Sequence, residues 1–131
     1  KLGAHLVTVG DLMHRGAAMP LVRSESMMAE VLLEISQKAF GVVGVLREHS
    51  ELVEIIIDGD LRRHMSGLLA LQAAEVMTGN PTTIRPKALA EEAIAVMNAR
   101  KITCLFVTDQ ATEHTPVGVL HIHDCLRAGL G

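Results

Sequence analysis

The apolar positions of this chain fall into two alternating rhythms. In "MMAEVLLEISQK" the residues Met28, Val31, Leu32 and Ile35 recur at helical spacing, and Ser26 or Ser24 stands where an N-cap belongs. "VVGVL" (42–46) and "LVEIII" (52–57) are short, β-branched and divided by a polar turn, which predicts a hairpin. Asp60 is then expected to cap a helix running through "LRRHMSGLLALQ". Further on, Ala90, Ala93, Ile94 and Met97 mark a second helical face. "CLFVT" and "PVGVL" predict a second hairpin, closed by "DQATEHT", and Asp124 opens a last helix. Short extended pieces near Pro20–Arg23 and Thr82–Arg85 precede the two long helices.

The order repeats. "VGDLMHRG" (9–16) aligns with "AAEVMTGNP" (73–81), and "DLRR" (60–63) with "DCLR" (124–127). Met13 and Met77, like Asp60 and Asp124, stand at a common offset of about 64 residues. Two near-equal copies predict a pseudo-twofold pair of β-α-β-β-α units rather than a solenoid, which needs three or more repeats. The fold class expected is therefore α/β (α+β), with units 1–66 and 67–131 packed sheet to sheet. Each long helix should join two parallel strands by a right-handed crossover.

Composition narrows the function classes. Of 131 residues, 49% are hydrophobic and 21% charged, which describes a packed chain. The formal net charge of −3, with no basic block, disfavours a nucleic-acid partner. No apolar run is long enough for a membrane span and no signal peptide is evident. Cys104 and Cys125 lie in apolar contexts, as buried thiols of a reducing, cytoplasmic compartment do. The chain begins at Lys1 and reads as a piece of a longer protein. With Phe40 and Phe106 its only aromatics among Phe, Trp and Tyr, a binding site cannot rely on stacking.

The stretch "EIIIDGDLRR" (54–63) holds the most suggestive polar cluster. Asp58-Gly59-Asp60 could be a turn, a cation ligand or an acceptor pair for sugar hydroxyls. Its twin "VLHIHDCLRA" repeats Asp60 as Asp124 but puts Ile122 opposite Asp58, so the paired-carboxylate readings lose their basis. Downstream ligands of a calcium loop are missing as well. His121 and His123 alternate, and on a strand both rings would face one side. With Asp124 they could approach Zn²⁺, but no further ligand sits at characteristic spacing, so no metal is expected. Arg62, Arg63 and Arg127 fall in the first turns of helices, where they meet an acidic partner, face solvent, or pair with Asp58 or Asp60. Cys104 has no neighbouring base and is read as a core thiol. No catalytic residue and no cofactor is expected.

"TVGDLMHRG" (8–16), "IIIDGDLRRHM" (55–65), "AAEVMTGNPTTI" (73–84) and "GVLHIHDCLRAG" (118–129) together resemble a tandem pair of CBS domains. "DGDLRR" and "GVLHIHDCLRAG" are similar to the C-terminal regulatory region of the D-arabinose 5-phosphate isomerase family. That resemblance implies an N-terminal sugar-isomerase domain outside this chain. It also implies interconversion of ribulose 5-phosphate and arabinose 5-phosphate, which feeds the octulosonate of lipopolysaccharide. Partners implied are a second copy, as a homodimer or tetramer, and a nucleotide or nucleotide-sugar such as the cytidine-monophosphate-activated octulosonate.

Ligand-binding CBS pairs carry Gly-h-h-Thr/Ser-x-x-Asp at the end of the third strand, where h is apolar. The Asp accepts from ribose hydroxyls, while the Thr and the helix N-terminus donate to phosphate. Here the first repeat has Glu54 for the Gly and Ile57 for the Thr; the second keeps Gly118 but has His121 for the Thr. The better site is expected at Asp124 and His121, with Thr82, Ile84 and Thr103 lining it, and the poorer at Asp60 and Ile57. A protonated His121 would make anion binding pH-dependent. Helix capping is the alternative role of both aspartates, and ordinary strand positions the alternative for the threonines. A purely structural dimerisation module without ligand is the rival to the regulatory reading.

Overall fold

A computed structural model describes residues 6–79, 81–109, 111 and 114–130. The chain packs as two compact units, one of residues 17–81, the other of the segment up to Gly16 together with the chain from Thr82 onward. The division therefore differs from a boundary at 66/67. Apolar periodicity tells which face of the 9–12 and 73–76 segments is buried but not against which sheet. Each segment packs with the repeat that precedes or follows its own.

In the 17–81 unit, β1 (Leu21–Arg23) leads through helix α2 (Met28–Lys38) into β2 (Val42–Arg47) and then β3 (Glu51–Ile57). Helix α1 (Val9–Leu12) precedes them and belongs to the other unit. β1 and β2 are parallel, with Leu21 opposite Gly44. β2 and β3 are antiparallel, with Val42 opposite Ile57 and a bulge at Val45/Leu46. α3 (Asp58–Arg63) follows, then α4 (Ala73–Val76) and β4 (Thr78–Gly79), which completes the order β1-β2-β3-β4. Met28, Val31, Val43, Val45, Ile56 and Val76 form the buried core. Each large apolar side chain so buried contributes about 1.5–3 kcal/mol.

The second unit repeats the plan. β5 (Thr83–Ile84), α5 (Ala90–Arg100), β6 (Cys104–Thr108), β7 (Pro116–His121) and α6 (Ile122–Arg127) follow in order. β5 runs parallel to β6 with Thr83 opposite Phe106, and β7 antiparallel with Cys104 opposite His121. Its core gathers Val9, Met13, Ile84, Met97, Leu105, Leu120 and Cys125. Val9 and Gly10 fasten α1 through N–H bonds to the Ala88 and Pro86 carbonyls at 2.8 and 2.9 Å. Part of the "DQATEHT" turn lies outside the described residues.

Three local expectations are corrected. Neither Ser24 nor Ser26 caps α2, whose N-cap is Met27 with no side-chain bond. Ser26 Oγ instead accepts the Arg23 N–H at 3.1 Å, closing the turn after β1. The helix after Asp60 does not run to Gln72. It ends at Arg63, and Gly67 turns the chain with φ of 72° before a single 3₁₀ turn, Leu68–Ala70. Finally, neither Asp60 nor Asp124 is an N-cap, because both helices begin two residues earlier.

Candidate functional site

Both candidate corners are strand-to-helix junctions, and one device builds them. β3 passes directly into α3, so Ile57 is the N-cap and Asp60 the third helical residue. The Asp60 carboxylate accepts the Ile57 N–H at 2.8 Å, the return half of a capping box. β7 passes into α6 in the same way, and Asp124 accepts the His121 N–H at 2.8 Å. The spacing Thr-x-x-Asp is itself a capping-box pattern, since a Thr there would accept from the first helical turn. His121 keeps that half: its Nδ1 accepts the His123 N–H at 3.1 Å. Ile57, with no acceptor atom, loses it.

The two carboxylates carry further bonds. Asp60 is fully buried and also takes the Thr78 hydroxyl at 3.2 Å and the Arg63 guanidinium. Asp124, 7% exposed, takes His14 Nε2 at 2.9 Å and Arg127 Nη2 at 2.6 Å. Arg62 pairs with Asp58. The three arginines thus face the acids of their own helices, three or four residues before them.

His14 and Thr78 were not among the residues expected at the site. Each follows one of the paired methionines, Met13 and Met77, and each lines up with the third strand of a repeat. His14 exchanges N–H···O bonds of 2.8 and 2.9 Å with Val119, and Thr78 stands opposite Ile55. The 64-residue offset carries His14 onto Thr78 and could have pointed to both. Gly118 admits its incoming segment: a Cβ there would lie 2.5 Å from Met13 Sδ and 3.0 Å from the His14 carbonyl. In the other repeat Glu54 replaces the glycine, and the residue opposite it is Gly79.

The remaining expected residues are placed as follows. Thr103 is exposed, and its carbonyl accepts the Ile122 N–H at 2.8 Å, which ties it to the Asp124 corner. Thr82, half-buried, precedes β5 at the same end of the sheet as Cys104 and His121. Ile84 lies further along β5 with its side chain in the core. Ile57 is 41% exposed.

His121 and His123 do not share a strand face, because the strand ends at His121 and His123 lies in the first turn of α6. Their rings sit 4.6 Å apart, tilted by 55°. Among the described residues no group of three His, Cys, Asp or Glu side chains is placed to hold a metal ion. Burial, and then the neighbouring His123, hold the His121 pKa below its ordinary value, against the pull of Asp124. With Nδ1 accepting a backbone N–H, the neutral ring carries its proton on Nε2. A protonated His121 is thus disfavoured, although the neutral ring still has a donor. Burial and the Asp124 charge push the Cys104 thiol up to about 12, and the Cys125 thiol is raised by the same causes. Neither is an activated nucleophile.

A model of the CBS domain matches residues 73–131. Two solved structures overlay nearly the whole chain. CBSX2 of Arabidopsis thaliana, in complex with AMP, has a TM-score of 0.77 at 22% identity, covering 94% of this chain and 96% of that one. The CBS domain of a bacterial CNNM/CorC family Mg²⁺ transporter, in complex with ATP, has a TM-score of 0.78 at 18% identity, covering 97% and 89%. Residues 73–131 belong to the CBS-domain family, and the whole chain resembles a CBS pair. As a CBS pair it is also 40% identical over 128 residues to the arabinose 5-phosphate isomerase KdsD of Pseudomonas aeruginosa. That alignment covers 95% of the CBS pair and 39% of the isomerase. Against KdsD of Escherichia coli K12 the identity is 38%, and the pair again spans 38% of the relative's length.

Proposed function

We propose that this CBS pair is the regulatory, ligand-binding part of a sugar-phosphate isomerase, and that its second repeat carries the better site. The similarity to KdsD over 95% of the chain supports the isomerase parentage. The parent activity would interconvert ribulose 5-phosphate and arabinose 5-phosphate in the cytoplasm, with the pairs joining the subunits into dimers or tetramers.

One observation carries the choice of site. At the Asp124 corner a strand end, a helix start and the Thr103 carbonyl gather polar groups around His121. The corresponding position of the other repeat is the apolar Ile57. AMP and ATP in the structural neighbours support an adenine nucleotide as one ligand class. The isomerase context supports a pathway nucleotide-sugar, the cytidine-monophosphate-activated octulosonate, as the other. Asp124 would accept from ligand hydroxyls and His121 Nε2–H would donate, with backbone from Thr82 to Ile84 alongside.

Isothermal titration of the chain with AMP, ATP, CMP and the activated octulosonate tests this reading. Heat with at least one of them, lost in Asp124→Asn and retained in Asp60→Asn, is the expected result. No heat with any of the four ends it.

A structural, ligand-free module is the second reading. It is favoured by the internal bonds that already occupy both carboxylates. Its mark would be an association state, measured by sedimentation, that survives when every titration is blank.

A further inference from the structure

We infer that His14 gates the Asp124 carboxylate, so that ligand hydroxyls and the His14 ring compete for it. This deepens the ligand-binding reading above and rests on it. An ionised carboxylate offers about four lone-pair positions on two oxygens. At Asp124 three are taken: Oδ2 by the His121 N–H, Oδ1 by His14 Nε2 and Arg127 Nη2. Only 6% of the side chain reaches solvent. A sugar diol brings two hydroxyl donors, so at least one present donor must leave before both can bind.

The three donors are unequal. The His121 N–H belongs to the capping box, and losing its acceptor frays the start of α6. The Arg127 guanidinium is permanently charged and comes from the same helix, so its bond to the carboxylate is charge-assisted and local. It is 69% exposed and carries several N–H groups, which lets it pivot while keeping one bond. His14 is held by neither constraint. It reaches Asp124 from 110 residues earlier in the chain, and its ring is 38% exposed. Rotating that ring away leaves the capping box of the corner in place.

The other repeat carries the same tie, from Thr78 to Asp60. A bond from the residue after the paired methionine to the corner aspartate is therefore part of the repeat's design. At Asp124 it makes the segment 8–14 sense the state of the corner. By linkage, a ligand that displaces His14 loosens that segment, and a segment held tightly opposes the ligand.

The test titrates AMP and ATP into the whole chain as wild type, His14→Ala and His14→Phe. The Phe variant keeps a ring in place and removes the N–H, which separates gating from packing. Both variants should bind about fivefold more tightly, the weight of one competing hydrogen bond. Saturating AMP should also raise amide exchange over residues 8–14 in wild type and leave it unchanged in His14→Phe. Equal or weaker binding in both variants overturns the gate while the ligand-binding reading stands. Binding with no change in wild-type exchange overturns it too. If neither wild type nor variants bind AMP or ATP, the gate falls, and the nucleotide-sugar titration then decides the wider reading.

Discussion

Asp60 accepts the Ile57 N–H at 2.8 Å, and Ile57 returns nothing. The bond is one-sided because the N-cap residue has no acceptor, whereas in the equivalent pair His121 supplies Nδ1. Ile57 is 41% exposed, so little apolar burial protects it from replacement. Ile57→Thr should stabilise the 17–81 unit by about 0.5–1 kcal/mol by restoring the missing half of the box. The urea midpoint of unfolding measures this, and an unchanged or lower midpoint would count against the capping account.

Asp60 matters more than the arginine beside it. Asp60→Ala strips the acceptor from the Ile57 N–H, the Thr78 hydroxyl and Arg63 at once. The cost should be about 1–3 kcal/mol, since three donors lose the fully buried carboxylate at once. Arg63 is 58% exposed and rehydrates, so Arg63→Ala should cost less than about 1 kcal/mol. Comparable losses in the two variants would show that the ion pair, not the Ile57 and Thr78 hydrogen bonds, holds the corner.

Gly118→Ala should destabilise the second unit by about 1–3 kcal/mol through overpacking. The added Cβ would meet Met13 Sδ and Cγ at 2.5 and 2.9 Å. The sulfur end can swing away, but the His14 carbonyl at 3.0 Å is backbone and cannot. A thermal-unfolding cycle with Met13→Ala should therefore recover part of the loss, and strict additivity would place the strain elsewhere.

His121 gives the protein an acid-side instability. Its folded pKa lies below the 6.5 of the free side chain because burial disfavours the charged ring. The unfolded chain then binds the proton first as pH falls. Stability from the neutral ring is full above 6.5 and is lost as pH drops through 6.5 toward the lower folded value. His121→Asn keeps an acceptor at the N-cap and removes the titration. Its stability should be flatter than wild type between pH 7 and 5; identical slopes would assign the effect to another group.

Most of the secondary structure was legible because both hairpins and both long helices announce themselves by period, and the repeat checks each against its twin. The corner aspartates were legible as repeated residues. Their neighbours were less so. His14 lies 110 residues from Asp124 and Thr78 lies 18 from Asp60, and no local pattern encodes such ties. The apolar rhythm carries the helix after Asp60 too far, because Leu68 and Leu71 continue it past the Gly67 break. The carboxylate's bonding partners, which decide whether it can greet a ligand, emerge only when the linker segments are in place.

The crossed allegiance of the 6–16 segment has a topological meaning. The unit of copying along the gene and the unit of packing are out of phase. Residues 17–81 form one uninterrupted stretch, while the other unit is a chain opened to receive it. An excision at the repeat boundary would leave each fragment missing an edge it needs, whereas cuts after Gly16 and Pro81 would release the inserted part whole. The host part would then be a split fold, whose two pieces must find each other through Val9, Met13 and the His14–Val119 pairing.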